Sequence, residues 1–247
     1  MLRVAKRLSA VAFVASCSAL VGCADDEATL FVRQVVAPND SCEFANDPEQ
    51  PHFVRGLLDT YFAAEYSAVV LVGNQMVAQG SPERLRDETS KVALYEYETR
   101  VLDADGAEVA GFKAPCSGLV DQKDGDTEAY GLTNVVLIDS VSSAALADAS
   151  AASGTQQEVV ASLIVRGRTL GGNEIETGEF LFPISVCRGC SIYFPPSADD
   201  PATPGLCDKG DADDPDPVCT PGVNTGINCL LCRKSATPSA GDPCNPG

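Results

Sequence analysis

The last quarter of the chain constrains its folding most. Residues 191 to 247 hold ten Pro and six Gly in 57 positions. That is a share of about 28%, at which uncrosslinked chains stay without a packed core. The same region, counted from Cys187, holds seven Cys in 61 residues. That is about 11%, above the level that marks a disulfide scaffold. Such a segment takes a shape only if something staples it, and in an oxidising compartment the staple is the disulfide. Two of its cysteine pairs have C-x-x-C spacing, Cys187/Cys190 in VCRGCS and Cys229/Cys232 in NCLLCR. This spacing also suits a zinc site or a redox dithiol, so the compartment has to decide.

The other end of the chain supplies it. Arg3, Lys6 and Arg7 form a basic start, and Leu8 to Val21 carries no charge. That is the pattern of a secretory signal, too short for the ~20 apolar residues of a spanning helix. The run ends Leu20-Val21-Gly22-Cys23, which resembles the bacterial lipobox. The resemblance implies that residues 1–22 are removed. Cys23 then becomes the first residue, with a diacylglycerol on its sulfur and an acyl chain on its nitrogen. Multiple chains anchor stably, since each buried CH₂ contributes ~0.8 kcal/mol. The expected partner of this end is therefore a membrane, reached through lipid. In such lipoproteins an Asp directly after the Cys favours inner-membrane retention. Ala24 stands there instead, implying the outer membrane.

Loss of residues 1–22 removes three of the 17 basic residues and none of the 35 acidic ones, leaving a net charge of −21. That balance excludes nucleic acid as a partner, since phosphate binding depends on Lys and Arg. It also argues against docking on anionic headgroups through a basic patch.

Between the expected tether (23–28) and the tail, the periodicity is β. Thr29 to Val36 is rich in β-branched and apolar residues, and Glu65 to Val77 reads as a buried strand. Lys91 to Leu102 alternates, with Tyr95, Tyr97, Thr99 and Val101 on one face and Glu96, Glu98 and Arg100 on the other. Asp103 to Gly106 is a turn signal, and Tyr130 to Asp139 is a further strand. Val159 to Leu170 and Glu174 to Val186 form a hairpin around Gly171-Gly172-Asn173. Phe180, Phe182, Ile184 and Val186 share a face of its second arm, and Pro183 requires an edge or a bulge there. Ser143 to Gly154 is a short helix or a loop. Six or seven strands predict an all-β domain over 29–190, an antiparallel immunoglobulin-like β-sandwich without the Trp of antibody domains. An irregular disulfide-rich tail follows over 191–247.

The candidate chemistries narrow quickly. Zinc at the two C-x-x-C pairs would need a spacer of about 15–20 residues. Here Cys190 and Cys229 stand 38 residues apart in between, with Cys207 and Cys219 inside the gap. Haem attachment fails because Ser191 and Arg233, not His, follow the pairs. A thioredoxin-like dithiol fails because Pro195 and Pro196 forbid the required helix. The acidic run Asp199, Asp200, Asp208, Asp211, Asp213, Asp214 and Asp216 lacks the EF-hand pattern, leaving a non-EF calcium site or a solvated loop. His52 is the sole His, in a Pro-flanked loop, so a nucleophile triad would have to use it. No cofactor is called for, and no enzyme class is indicated.

What remains is disulfide arithmetic. Of eleven Cys, Cys17 leaves with the signal and Cys23 carries lipid. The disulfide candidates are Cys42, Cys116, Cys187, Cys190, Cys207, Cys219, Cys229, Cys232 and Cys244. Nine is odd. The expectation is that Cys42 and Cys116, isolated in the β region, pair with each other. Cys244, near the end, is expected to be the odd one. Cys187 and Cys190 are expected to tie the last strand to the tail, with Cys229 and Cys232 on the other side. Lipobox, β body, residues 167–190 and the acidic Cys/Pro tail together resemble uncharacterised Cys-rich lipoproteins of Gram-negative bacteria. That resemblance implies location and architecture only. The expected role is a non-enzymatic, lipid-anchored envelope protein acting in surface interaction or envelope structure, with a protein or other envelope component as partner. The alternative is a zinc- or calcium-binding envelope lipoprotein.

Overall fold

The computed structural model describes residues 29–78, 89–125, 127–198, 201, 202, 204, 207, 218–235 and 243–244. Cys23, the tether and all seven aspartates of the acidic run lie outside the described residues. The described chain is mostly β. In order it forms β1 (Leu30–Val36), β2 (His52–Phe53), β3 (Gly56–Asp59), β4 (Tyr66–Asn74), β5 (Val92–Leu102), β6 (Glu108–Val120) and β7 (Ala129–Ile138). Then come α1 (Ser140–Ser153), β8 (Gln157–Thr169), β9 (Glu174–Glu176), β10 (Phe180–Cys187), β11 (Ile192–Tyr193), β12 (Ile227–Asn228) and α2 (Cys229–Ser235).

One sheet runs β2-β1-β4-β7, and a second runs β3-β10-β8-β5-β6 with β9 added to β8. Pairing is antiparallel within both, except that β3 joins β10 in parallel, Gly56 opposite Ile184 through Asp59 opposite Cys187. The two sheets share one buried cluster. Val70, Val72, Val135 and Leu137 enter it from the first sheet, and Val101, Leu163, Val165, Phe182 and Ile184 from the second. Alternation is what makes this possible: each strand turns every second side chain toward the same core. Where the sheets meet at β6 and β7, a Cβ on Gly131 would strike the carbonyl of Leu119, and Thr133 Oγ1 donates to Ser117 O at 3.0 Å. Glycine allows that backbone approach.

β5 departs from the expected phase. Its register shifts between Leu94 and Glu96 against both neighbours: β5 carries the extra residue against β8, and β6 carries it against β5. Val92 and Leu94 are buried before it and Tyr97, Thr99 and Val101 after it, while Tyr95 is turned outward. Tyr95 therefore does not share the face of Tyr97. Pro183 meets the edge requirement locally: β3 covers β10 only from Ile184 onward, so at Pro183 the strand has one neighbour. α1 links the sheets. Asp139 caps it by accepting from Ser142 N at 2.8 Å, and Gly154 closes it at φ 67°.

Candidate functional site

The C-x-x-C of VCRGCS lies where β10 ends. Asp59, at the parallel end of β3, is fully buried beneath it. One carboxylate oxygen accepts from Tyr61 N (3.0 Å) and Gly189 N (2.6 Å), the other from Ser191 N (2.9 Å) and Ser191 Oγ (2.6 Å). Four donors on one carboxylate are what a buried charge needs, and these hold the Arg-Gly-Cys-Ser turn. Gly189 stands at φ 77°, where an added Cβ would collide with Pro243, so the turn requires glycine. Arg188 lies over the Tyr61 ring, 5.2 Å from its centroid. Nothing in LLDTYF announces this role. It follows from a parallel pairing that local patterns do not reveal.

The disulfides differ from the expected scheme. Cys187 pairs with Cys190 itself, Cys207 with Cys229, and Cys232 with Cys244. Cys42 pairs with Cys219 across 177 residues, not with Cys116. Among the described residues Cys116 is the free cysteine and Cys244 is not. Cys187 and Cys190 thus close a local turn, and the covalent tie between β body and tail is Cys42–Cys219. Cys116 sits on β6, whereas Cys42 lies on the loop after β1 and is bonded to Cys219. Burial pushes the Cys116 thiol up, opposed by a hydrogen bond with Thr133. Backbone at Cys42 (φ 62°) and Cys207 (φ 52°) is left-handed, a conformation that tertiary constraints must hold in non-glycine residues.

Asn224, also left-handed at φ 56°, is the polar counterpart of that tie. Its Oδ1 accepts from Leu57 N at 2.8 Å, and its Nδ2 donates to the Tyr66 hydroxyl at 2.5 Å. Tail residue Asn224 thereby contacts β3 of one sheet and β4 of the other, and Val223 enters the shared core. Burial raises the Tyr66 phenol above its ordinary range, with the Asn224 bond opposing it. Beside this junction lies an apolar cavity of about 190 Å³, lined by Val36, Pro38, Phe44, Phe53, Val69 and Val223 among others.

Asp59, Cys187 and Cys190 bring one oxygen and two sulfurs within 4.8 Å of one another. The sulfurs are bonded to each other and the carboxylate already has four donors. As it stands, the group is a turn clasp. Only reduction of Cys187–Cys190 would free thiolates for a cation.

A second feature lies toward the start of β10. A cleft of about 540 Å³ opens between β1 and β10, lined by Arg33, Gln34, Glu49, His52, Phe53 and Phe180–Phe182. β1 bulges between Val32 and Gln34, so Arg33 is the inserted residue. His52, the sole histidine, is exposed on this rim, and no described Ser or Cys nucleophile lines the cleft.

No family model matches the chain, and no curated protein matches it.

Proposed function

We propose that this chain is a lipid-anchored cell-envelope protein, outer-membrane rather than inner-membrane, that acts by binding rather than by catalysis. The observation that carries the reading is Leu20-Val21-Gly22-Cys23 directly behind a basic start and an uncharged run. Four disulfides support an oxidising compartment. Two mainly antiparallel sheets on one core support an immunoglobulin-like sandwich as the body, with the tail bound to it through Cys42–Cys219, Asn224 and Asp59. The binding role draws on the open cleft between β1 and β10, lined by charged, polar and apolar side chains.

Detergent phase partitioning tests the anchor: wild type should enter the detergent phase and Cys23→Ala should stay aqueous. Equal partitioning would sink it. Intact mass tests the compartment. The unfolded, unreduced mature protein should take up one alkyl group, on Cys116, and nine after reduction. The metal-binding alternative draws on the Asp59–Cys187–Cys190 group and requires the reduced form. It predicts tight zinc uptake after reduction that Asp59→Asn weakens.

A further inference from the structure

We infer that the cleft between β1 and β10 receives an extended polypeptide segment of another envelope protein, added as a strand between two open sheet edges. The inference rests on the binding role proposed above and supplies its partner class. Leu30 faces Thr177 in a parallel bridge. Three residues on, Arg33 and Phe180 are no longer paired, and both line the cleft. On β1, the ladder with β2 covers only Val35 and Val36, so Phe31–Gln34 has one ladder partner, β4. On β10, β3 begins only at Ile184, so Phe180–Pro183 has one ladder partner, β8. Two parallel strands thus diverge and leave backbone groups facing a gap, Pro183 contributing a carbonyl but no donor. Sheet edges of this kind accept added strands, with main-chain bonds giving affinity and alternate side chains giving selectivity.

The cleft also carries a buried polar group. Gln34 is 6% exposed, and its Nε2 has no hydrogen-bond partner among the described residues. Leaving a buried donor unpaired is costly, and a donor kept in that state beside a cleft suits a ligand carbonyl. The bulge at Arg33 sets this up by changing the phase of β1, which sends Gln34 inward and leaves Arg33 exposed. Arg33 makes no ion pair within 4 Å among the described residues and, although Glu128 lies near enough to feel its charge, can take an acidic side chain of the incoming strand. Glu49 and His52 stand on the same rim and limit how much negative charge the segment carries. Apolar contact comes from Phe53, Phe180, Val54 (77% exposed) and Leu181 (55% exposed). The segment is therefore extended, alternately apolar, and bears an acidic residue opposite Arg33.

The test uses the full chain in detergent micelles and a displayed library of random octapeptides as probe. Selected peptides should alternate apolar and polar residues and include an acidic one. Methylating alternate backbone nitrogens of a selected peptide should abolish binding. Gln34→Leu keeps the volume and removes the donor, so it should weaken binding about tenfold while leaving Tm equal or higher. A structural role for that amide would instead lower Tm. Three results overturn the inference: no enrichment over a Gln34→Leu control, equal binding of the N-methylated peptide, or a concentration-dependent dimer showing that a second copy fills the cleft. Cys23→Ala should bind peptide as wild type does. Loss of anchoring with binding retained would therefore fail the location alone.

Discussion

Removing Cys42–Cys219 by a Cys42→Ala/Cys219→Ala double substitution should cost the fold more than removing any other disulfide. The reason is loop closure. Cys42 and Cys219 are 177 residues apart, against 22 for Cys207–Cys229, 12 for Cys232–Cys244 and 3 for Cys187–Cys190. The chain-entropy relation gives about 5 kcal/mol for the first, then about 3.5, about 3 and about 1.5 kcal/mol. Cys207–Cys229 encloses Cys219 but shortens the path between Cys42 and Cys219 by only a couple of residues, so the long loop keeps almost its full entropy. Cys42 is exposed and Cys219 half-buried, so truncating them opens little cavity. Cys187, by contrast, is buried, and its loss adds a packing penalty that narrows the gap, which makes the comparison conservative. Urea unfolding followed by far-UV circular dichroism and tyrosine fluorescence is the assay, since the chain has six Tyr and no Trp. With a urea slope near about 3 kcal/mol/M, the midpoint should fall by about 2 M. A loss no larger than that of Cys187→Ala/Cys190→Ala would refute the loop-closure reasoning. It would mean that Asn224, Val223 and Asp59 hold the tail without help.

Asp59→Ala should destabilise by about 3 kcal/mol, because it strands four donors, two of them buried at Ser191, and should expose the 188–191 turn to proteases. A loss under about 1 kcal/mol would show that water replaces the carboxylate. Gly131→Ala should be destabilising beyond the usual helix or strand penalty, since its Cβ meets backbone at Leu119 O; a melting scan equal to wild type would deny the close approach. On the sheet surface, Arg166 bonds Glu96, Glu98 and Glu176, and its bond to Glu98, joined by one from Lys113, holds the Glu98 carboxyl below its ordinary value. A lowered folded pKa means that Glu98 stabilises above its unfolded pKa and loses that stabilisation as pH falls through the folded value. Wild type should therefore lose stability relative to Glu98→Gln on acidification below pH of about 4.3. An unchanged difference across that range would argue against the Arg166 cluster. The Cys116 thiol should alkylate slowly in the native state and fast in urea, as its raised pKa and half-buried site require; a fast native reaction would contradict both.

The strands that could be read from sequence are those with one buried face and β-branched residues: β1, β4, β5, β7, β8 and β10. β6 escaped because EVAGFKAPCSGLV has two glycines, a proline and few β-branched side chains. It is the edge of its sheet, and an edge tolerates Pro115 because one side of the strand has no ladder to break. Its residues alternate exposed and half-buried down to Val120, so the hydrophobic signal is weak where the structural role is real. Tyr95 was misplaced for another reason. Alternation assigns faces only while the register holds, and the bulge at Leu94/Glu96 reverses them. The hairpin after β8 was legible because Gly172 at φ 91° supplies the turn that the return strand needs.

The candidate sites were less legible because their parts meet through long-range pairing. Cysteine spacing counts sulfurs along the chain, whereas a disulfide forms between those that the fold brings within reach. Cys42 meets Cys219 because the loop after β1 and the tail segment before β12 lie on the same side of the body. Cys116, though nearer in sequence, is fixed in a strand on the second sheet. Asp59 was hidden by the same logic: its partners at Gly189 and Ser191 are 130 and 132 residues away, joined to it by the parallel β3–β10 pair. At Gln34 the sequence LFVRQVV looks like an ordinary strand, and its alternation places Gln34 on one of two faces without saying which is wet. The bulge at Arg33 decides, and it decides against the amide's solvation. A buried amide donor without a partner persists in a fold only where its cost is offset elsewhere. In the strand-addition inference, the open edges of β1 and β10 beside it would supply that compensation, as the carbonyl of an added strand.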